Sequence, residues 1–191
     1  MDYYVELDIG EIVGQDVVNR WREELKELNI YDKCVTVYHP KVMSEKDFID
    51  MLDESESRYV GLEGLRENKS NLPYKKLIKL CYDRNVRVHG FAMIRDVWLD
   101  SVPFTSVDSV SWKAGAMYGT AMVKKPKGKI TAVRLKSKHQ MVKNGLSLME
   151  YHKQTKEEQR FLLAMTAIES YKEKEKYFTD LWNKRGIYWD E

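Results

Sequence analysis

Six ionisable side chains follow stretches of apolar, β-prone residues, and their types suit acid–base, nucleophilic or metal chemistry. They are Glu6, Asp8, His39, Glu63, His89 and Asp108. Carboxylates and imidazoles act as general acids and bases, and carboxylates also act as covalent nucleophiles. A single His or Asp at a strand end usually caps the next helix or is satisfied within its own loop. Six such residues at five successive strand ends therefore indicate a functional site.

The elements that must position these residues alternate between strand and helix. Strands are predicted at residues 3–8, 34–39, 58–63, from Val86 and over Thr105–Ser111, with helices at about 14–29, from Ser44, from Pro73 and over Asp96–Val102. Alternation with short connections is typical of parallel βα units. The carboxyl ends of parallel strands lie at one edge of the sheet, so we expect the six side chains to converge there.

Asp108 is the most informative of the six residues. Val107 and Val110 flank it in the predicted fifth strand. A carboxylate inside an apolar strand costs several kcal/mol unless it is paired or hydrogen-bonded. The residue therefore requires an explanation, and a functional role would supply one.

The pattern changes after Gly119. The apolar stretches 121–123 and 130–135 flank KKPKGK and predict an antiparallel hairpin, and a long helix is predicted from Gln154. Its expected apolar face consists of Phe161, Leu162, Met165, Ile168 and Tyr171, with Phe178, Leu181 and Trp182 further along. We thus predict a βα domain at residues 1–120, with a basic hairpin and C-terminal helix packing on it at 121–191.

Composition limits the class of protein. The chain has 191 residues, a net charge of +2 and 43% hydrophobic residues, as expected of a globular protein. Its basic residues are concentrated, because Lys124–Lys143 contains eight Lys or Arg and no Asp or Glu. Such a patch favours a nucleic-acid partner, although an exposed hairpin explains it equally well. Cys34 and Cys81 form no metal or disulfide pattern, and we expect an unanchored cytoplasmic protein without a membrane partner.

With these motifs in view, the chain resembles the tRNA-guanine transglycosylase superfamily. Within that superfamily it resembles short phage-encoded relatives, and the resemblance implies a chain that lacks the N-terminal part of the barrel. The resemblance rests on ELD at 6–8, VYH at 37–39, YVGLEG at 59–64, VHGF at 88–91 and PFTSVDSVSW at 103–112. SVDSVSW following VHGF is the specific part.

The resemblance implies an α/β fold of parallel βα units forming a partial TIM-type barrel, with a C-terminal hairpin and a long helix. It also implies exchange of a guanine base at an N-glycosidic bond in tRNA or DNA, with Asp108 attacking the ribose anomeric carbon. Glu63 or Asp8 is expected to be the second carboxylate, because two carboxylates in different surroundings can divide nucleophilic and acid–base work. No cofactor is expected, and the protein is expected in the cytoplasm of a bacterial host.

The remaining predicted site residues fall into two groups. The substrate-binding group consists of Glu6, His39, Gly61, Gly64, His89, Gly90, Phe91, Ser109 and Trp112. The nucleic-acid-binding group consists of Lys124, Lys125, Lys127, Lys129, Arg134, Lys136 and Lys138.

Three departures from the family pattern leave alternatives open. The chain has no upstream DSG-type segment, has Glu63 where the family has glycine, and lacks the zinc cysteines. One alternative is a non-catalytic phage accessory protein that binds nucleic acid or inhibits a host defence protein. Another is a hydrolase that holds a divalent metal through Asp8, His39, Glu63, His89 and Asp108. Five strands cannot close a barrel, so the sheet could pair with a second copy, add Ile130–Leu135 as a strand, or stay open.

Overall fold

The computed structural model describes residues 3–7, 9–64 and 74–189. Their contacts divide the chain into two compact units, one reaching Asp108 and the other beginning at Ser109. This boundary lies before the one we predict at residue 120. The reason is that the helix at Ser111–Tyr118 packs within the second unit, against the hairpin and the long helix.

The first unit alternates strand and helix, as predicted. Its strands are β1 (Tyr4–Val5), β2 (Cys34–Tyr38), β3 (Tyr59–Glu63), β4 (Arg87–Phe91) and β5 (Ser106–Val107). Its helices are α1 (Gly10–Val13), α2 (Gln15–Glu27), α3 (Glu45–Glu54), α4 (Tyr74–Asp83) and α5 (Asp96–Ser101), with a 3-10 turn at Tyr31–Lys33. The strands form one curled sheet in the order β1-β2-β3-β4-β5, and every pair is parallel. The expectation of an α/β fold with parallel βα units is confirmed.

One face of this sheet is covered by helices. Val60, Leu62 and Val88 project from it and are at most 1% exposed. Phe48 of α3 contacts Tyr38 of β2 with their ring centroids 4.7 Å apart. The predicted start of α3 is confirmed, since Ser44 and Asp47 form a capping box. Burying such large apolar side chains supplies the main stabilisation of the unit.

The fifth strand is shorter than predicted. We expect an extended segment over Thr105–Ser111, but β5 ends at Val107. The chain turns after Asp108, where the Ser111 N–H donates to Ser109 Oγ at 3.0 Å, and a helix begins at Ser111. Serine side chains that bond nearby backbone groups favour this kind of turn over a strand.

The second unit contains the predicted hairpin. Its elements are α6 (Ser111–Tyr118), β6 (Thr120–Lys125), β7 (Lys129–Arg134), α7 (Lys138–Lys143), α8 (Leu148–His152) and α9 (Lys156–Lys184). β6 and β7 pair antiparallel in a sheet of their own. Ile130–Leu135 therefore does not extend the five-stranded sheet, and that alternative is wrong.

The long helix is confirmed, and Phe178 is buried, but the predicted apolar face at its N-terminal half is not the buried one. Phe161 is 66% exposed. The buried residues of α9 are Leu163, Ala167, Ser170, Lys174 and Phe178. Ala167 and Ser170 are small enough to let the helix approach β6, where Ser170 Oγ donates to the Met122 carbonyl at 2.7 Å. The helix α9 therefore buries the face whose small residues let its backbone approach β6 closely, rather than its more apolar face.

Two further properties concern the environment of the chain. Among the described helices, none has both the length and the apolar character needed to cross a bilayer. Cys34 and Cys81 are buried free thiols. Burial raises the pKa of both thiols to about 12, so neither is a reactive thiolate at neutral pH.

Candidate functional site

Four of the six strand-end residues share the face of the sheet that the helices of the first unit do not cover, which we call the open face. Gly61, His89 and Ser106 are register partners on β3, β4 and β5, so all three residues face the same side of the sheet. Glu63 lies two residues beyond Gly61, and Asp108 lies two beyond Ser106. His39 follows β2, and its ring contacts Glu63. The strand period of two thus places His39, Glu63, His89 and Asp108 on one face.

His39 and Glu63 form a pair at the carboxyl ends of β2 and β3. His39 Nδ1 lies 3.4 Å from Glu63 Oε2, and the two side chains are 8% and 26% exposed. The position at which the resemblance predicts glycine therefore carries a carboxylate that is held by an imidazole.

Asp108 lies just beyond β5 and is more accessible than predicted. Its side chain is 56% exposed, so the prediction of a buried charge is wrong. Both of its contacts among the described residues involve Oδ1, which accepts from the Ala92 N–H at 2.8 Å and lies 3.7 Å from His89 Nε2. The Asp108 N–H donates to the Gly90 carbonyl at 3.4 Å, which continues the pairing with β4. Hydrogen bonds fix the backbone and one carboxylate oxygen of Asp108, while the rest of its side chain stays open to solvent. The carboxylate can therefore reach a large substrate.

An aromatic ring lies beside the pair formed by His89 and Asp108. Phe91 packs edge-on against His89, with ring centroids 4.3 Å apart. The ring also crosses β3 above Gly61, where an added Cβ would lie 2.4 Å from Phe91 Cε2. Gly61 therefore makes room for Phe91. Gly64 is confined by the backbone, since its N–H donates to the Phe91 carbonyl and a Cβ would lie 2.5 Å from that oxygen.

Burial lowers the pKa of His89, and the neighbouring Asp108 carboxylate partly offsets this effect. The folded protein therefore binds a proton at His89 less readily than the unfolded chain, whose value is about 6.5. The resulting stability is present above that value and is lost as the pH falls through the folded-state pKa. We expect urea unfolding at pH 7.5 and 5.0 to show a larger loss of stability in the wild type than in His89→Gln. An equal loss of stability in both proteins would contradict the lowered pKa of His89.

Glu6 and Gly90 point to the helix-covered face instead. Glu6 forms a two-point ion pair with Arg22 of α2, at 2.7 and 2.8 Å, and also accepts from the Val37 N–H. Gly90 gives Phe104 room, since a Cβ would lie 2.8 Å from that ring. These contacts give both residues structural roles. Asp8 lies outside the described residues.

The two remaining predicted substrate-binding residues, Ser109 and Trp112, belong to the second unit. Ser109 Oγ lies 2.6 Å from Ser111 Oγ, which in turn lies 2.8 Å from the Tyr171 hydroxyl. Trp112 is half-buried near the start of α6, with the Lys113 ammonium 5.3 Å from its ring centroid. Ser109 therefore takes part in a polar network that links α6 to α9.

The seven predicted nucleic-acid-binding residues separate into two groups. Lys124, Lys125, Lys127 and Lys129 surround the hairpin turn, whereas Arg134, Lys136 and Lys138 lie at the other end of β7. At the usual rise per residue, Lys129 and Arg134 are roughly 17 Å apart along the strand. Lys124 lies 3.5 Å from Glu173 of α9, and Lys125 is half-buried. The most available cations of the turn group are Lys127 and Lys129.

Sequence reasoning missed two residues of the first unit's open face, Tyr59 and Ser106. Their hydroxyl oxygens lie 2.5 Å apart, and Ser106 Oγ lies 2.6 Å from His89 Nδ1. Each lies an even number of residues from a predicted site residue, Tyr59 from Glu63 and Ser106 from Asp108. Extending the strand alternation backwards from the strand ends would have found both.

The metal-ligand alternative has no geometric support in the described part of the chain, where no group of three or more His, Cys, Asp or Glu side chains could hold an ion. Comparison of the chain with protein-family models, curated proteins and solved structures gives no match.

Proposed function

We propose that this protein is a transglycosylase-like enzyme that exchanges a purine base at an N-glycosidic bond in nucleic acid, with Asp108 as the nucleophile. The observation that carries the proposal is the setting of Asp108. It is an accessible carboxylate beyond the carboxyl end of a parallel strand, beside an imidazole and an aromatic ring. Binding and catalytic groups of parallel βα folds lie at this end of the strands.

The strand order supports a barrel-related fold. In doubly wound sheets the order reverses partway across the sheet. In a (β/α) barrel, each strand pairs with the next strand along the chain, as in β1-β2-β3-β4-β5. We therefore propose that the sheet is an arc of a TIM-type barrel, as the likeness of VHGF and SVDSVSW to the transglycosylase superfamily implies.

The chemistry follows from a carboxylate nucleophile. An Asp108 oxygen bonds to the ribose anomeric carbon while the carbon–nitrogen bond to the departing base breaks. The electron pair goes to the base nitrogen, which takes up a proton. In the second half, the nitrogen of the incoming base bonds to the anomeric carbon and loses its proton, and the ester bond breaks with its electrons returning to Asp108.

The assay that tests this function measures incorporation of labelled guanine. The full-length protein is incubated with the labelled base and either bulk tRNA or duplex DNA, and label in the nucleic acid is counted. We expect incorporation into one of the two with the wild type, and none with Asp108→Asn. Absence of incorporation into both would contradict the proposal.

A second candidate is a phage accessory protein that binds nucleic acid without catalysis. The Glu63 carboxylate in the open face favours it, because a fixed charge there alters the predicted base pocket. In this case the lysines of the hairpin turn carry the interaction with phosphates. A wild type that binds nucleic acid but incorporates no base would identify this candidate. A protein that binds no nucleic acid would instead direct attention to a host defence protein as the partner.

The contribution of the hairpin to nucleic-acid binding can be measured directly. We expect Lys127→Glu combined with Lys129→Glu to weaken binding about 10- to 100-fold at low salt. The slope of log K against log salt should fall by about 0.7–0.9 for each phosphate that the variant no longer neutralises. The matched control is Lys153→Glu with Lys156→Glu, which makes the same charge change at exposed positions of the second unit. Equal losses in both variants would indicate a net-charge effect and would contradict a role for the turn.

A further inference from the structure

A chain of polar contacts crosses the open face of the sheet and ends at Asp108. The Tyr59 hydroxyl lies 2.5 Å from Ser106 Oγ, and Ser106 Oγ lies 2.6 Å from His89 Nδ1. On the other side of the ring, His89 Nε2 lies 3.7 Å from Asp108 Oδ1. These residues come from three neighbouring strands and the turn after β5, so the sheet itself fixes their spacing.

The contacts select one arrangement of protons. An ionised carboxylate only accepts hydrogen bonds, so Nε2 is favourably placed beside Asp108 only when it carries the proton. Nδ1 of the neutral ring is then an acceptor, and Ser106 donates to it. Ser106 Oγ in turn accepts from the Tyr59 hydroxyl. In the opposite arrangement, a lone pair on Nε2 would face the carboxylate.

The surroundings of His89 favour this arrangement. Its side chain is only 17% exposed, and Phe91 packs against the ring. Other charged or titratable groups project from the same face. Arg87 lies 4.9 Å from the Tyr59 ring centroid and 4.8 Å from that of Tyr3, and Glu63 lies beside His39. Burial lowers the pKa of His89, and of the described charges Asp108 is the one whose electrostatic interaction raises it.

We propose that His89 is the proton-transfer partner of Asp108, and that Ser106 and Tyr59 are positioning residues that hold the neutral ring of the resting protein with its proton on Nε2. The acid–base role rests on the proposed function. It assigns to an imidazole the task for which the sequence offered Glu63 or Asp8. Protonated His89, which carries a proton on each ring nitrogen, gives its Nε2 proton to the departing base as Asp108 bonds to the anomeric carbon. The ring then keeps its proton on Nδ1, and the Ser106 hydroxyl turns to accept from it. In the second half Nε2 takes the proton of the incoming base as the ester bond breaks, which restores both groups.

The first test is nuclear magnetic resonance of the histidine side chains in the full-length protein. The chain has four histidines, and His89→Gln assigns the signal of interest. We expect His89 at pH 8 to carry its proton on Nε2. Ser106→Ala should remove that preference and raise the pKa of His89, because the neutral ring loses a hydrogen bond. Ser106→Thr, which keeps the hydroxyl, should preserve both properties, and Asp108→Asn should lower the pKa.

Two results of this titration would overturn the proposal. One is a proton on Nδ1 in the wild type. The other is a pKa and tautomer of His89 that are the same in Ser106→Ala as in the wild type. Because these measurements need no substrate, they test the positioning chain even if the protein exchanges no base.

The second test uses the incorporation assay. We expect His89→Gln to slow guanine incorporation by about 10²- to 10⁴-fold, the usual contribution of a general acid–base group. In Ser106→Ala, the fall in rate with rising pH should move to higher pH together with the pKa of His89. Full activity in His89→Gln would overturn the inference and leave the proposed function intact. Absence of incorporation by the wild type would overturn the acid–base role along with the proposed function.

Discussion

Asp108→Asn is expected to reduce guanine incorporation at least about a thousandfold, to the level measured without protein. Removing the nucleophile of a covalent mechanism has effects of this size or larger. An amide oxygen can still accept from the Ala92 N–H, and the side chain is 56% exposed. The substitution should therefore change the free energy of unfolding by less than about 1 kcal/mol.

The matched control is Glu56→Gln, which removes a carboxylate in the exposed turn before β3. We expect this variant to incorporate guanine at the wild-type rate. Wild-type incorporation by Asp108→Asn would rule out a nucleophilic role. Equal losses in the two variants would attribute the effect to overall charge.

Glu6→Ala is expected to cost about 3–5 kcal/mol of stability, as does breaking a buried ion pair by removal of one partner. The side chains of Glu6 and Arg22 are only 7% and 14% exposed, and Glu6 also accepts from the Val37 N–H. The substitution leaves the guanidinium and a strand amide with no carboxylate partner. Urea unfolding of the full chain, followed by circular dichroism, measures the loss.

Lys79→Ala provides the comparison for Glu6→Ala. Lys79 pairs with Asp83 on the surface of α4, where its side chain is 72% exposed. Such pairs contribute about 0.5 kcal/mol or less. Similar stabilities for the two variants would mean that the Glu6–Arg22 pair does not anchor α2 to the sheet. Arg22→Ala should behave like Glu6→Ala, and the double variant should cost less than the sum of the two because the pair is coupled.

The sequence predicts the parallel α/β fold of the first unit because local signals there agree with tertiary structure. β2, β3 and β4 come from short apolar stretches between turn residues, and α3 begins at its capping serine. The long helix is also predicted from its charge and apolar content. Its buried face is not, because contact with β6 depends on the small size of Ala167 and Ser170 rather than on hydrophobicity.

The candidate site is predictable in part for a similar reason. Strand ends identify His39, Glu63, His89 and Asp108, while alternation along a strand separates Glu6 from them. Pairing between distant residues is not encoded in a local pattern. Tyr59 and Ser106 are separated by 47 positions in the chain, and only the register of the sheet brings their hydroxyl groups together.

The strand order also bears on how the first unit folds. Each strand pairs with the one immediately before it, and a single crossover joins every pair. Closing the connection between two consecutive strands costs less conformational entropy than joining distant parts of a chain. The N-terminal strands leave the ribosome first, so the sheet can grow by adding one βα unit at a time to an edge already formed. The residues around Asp108 then complete the open face last, when β5 joins β4.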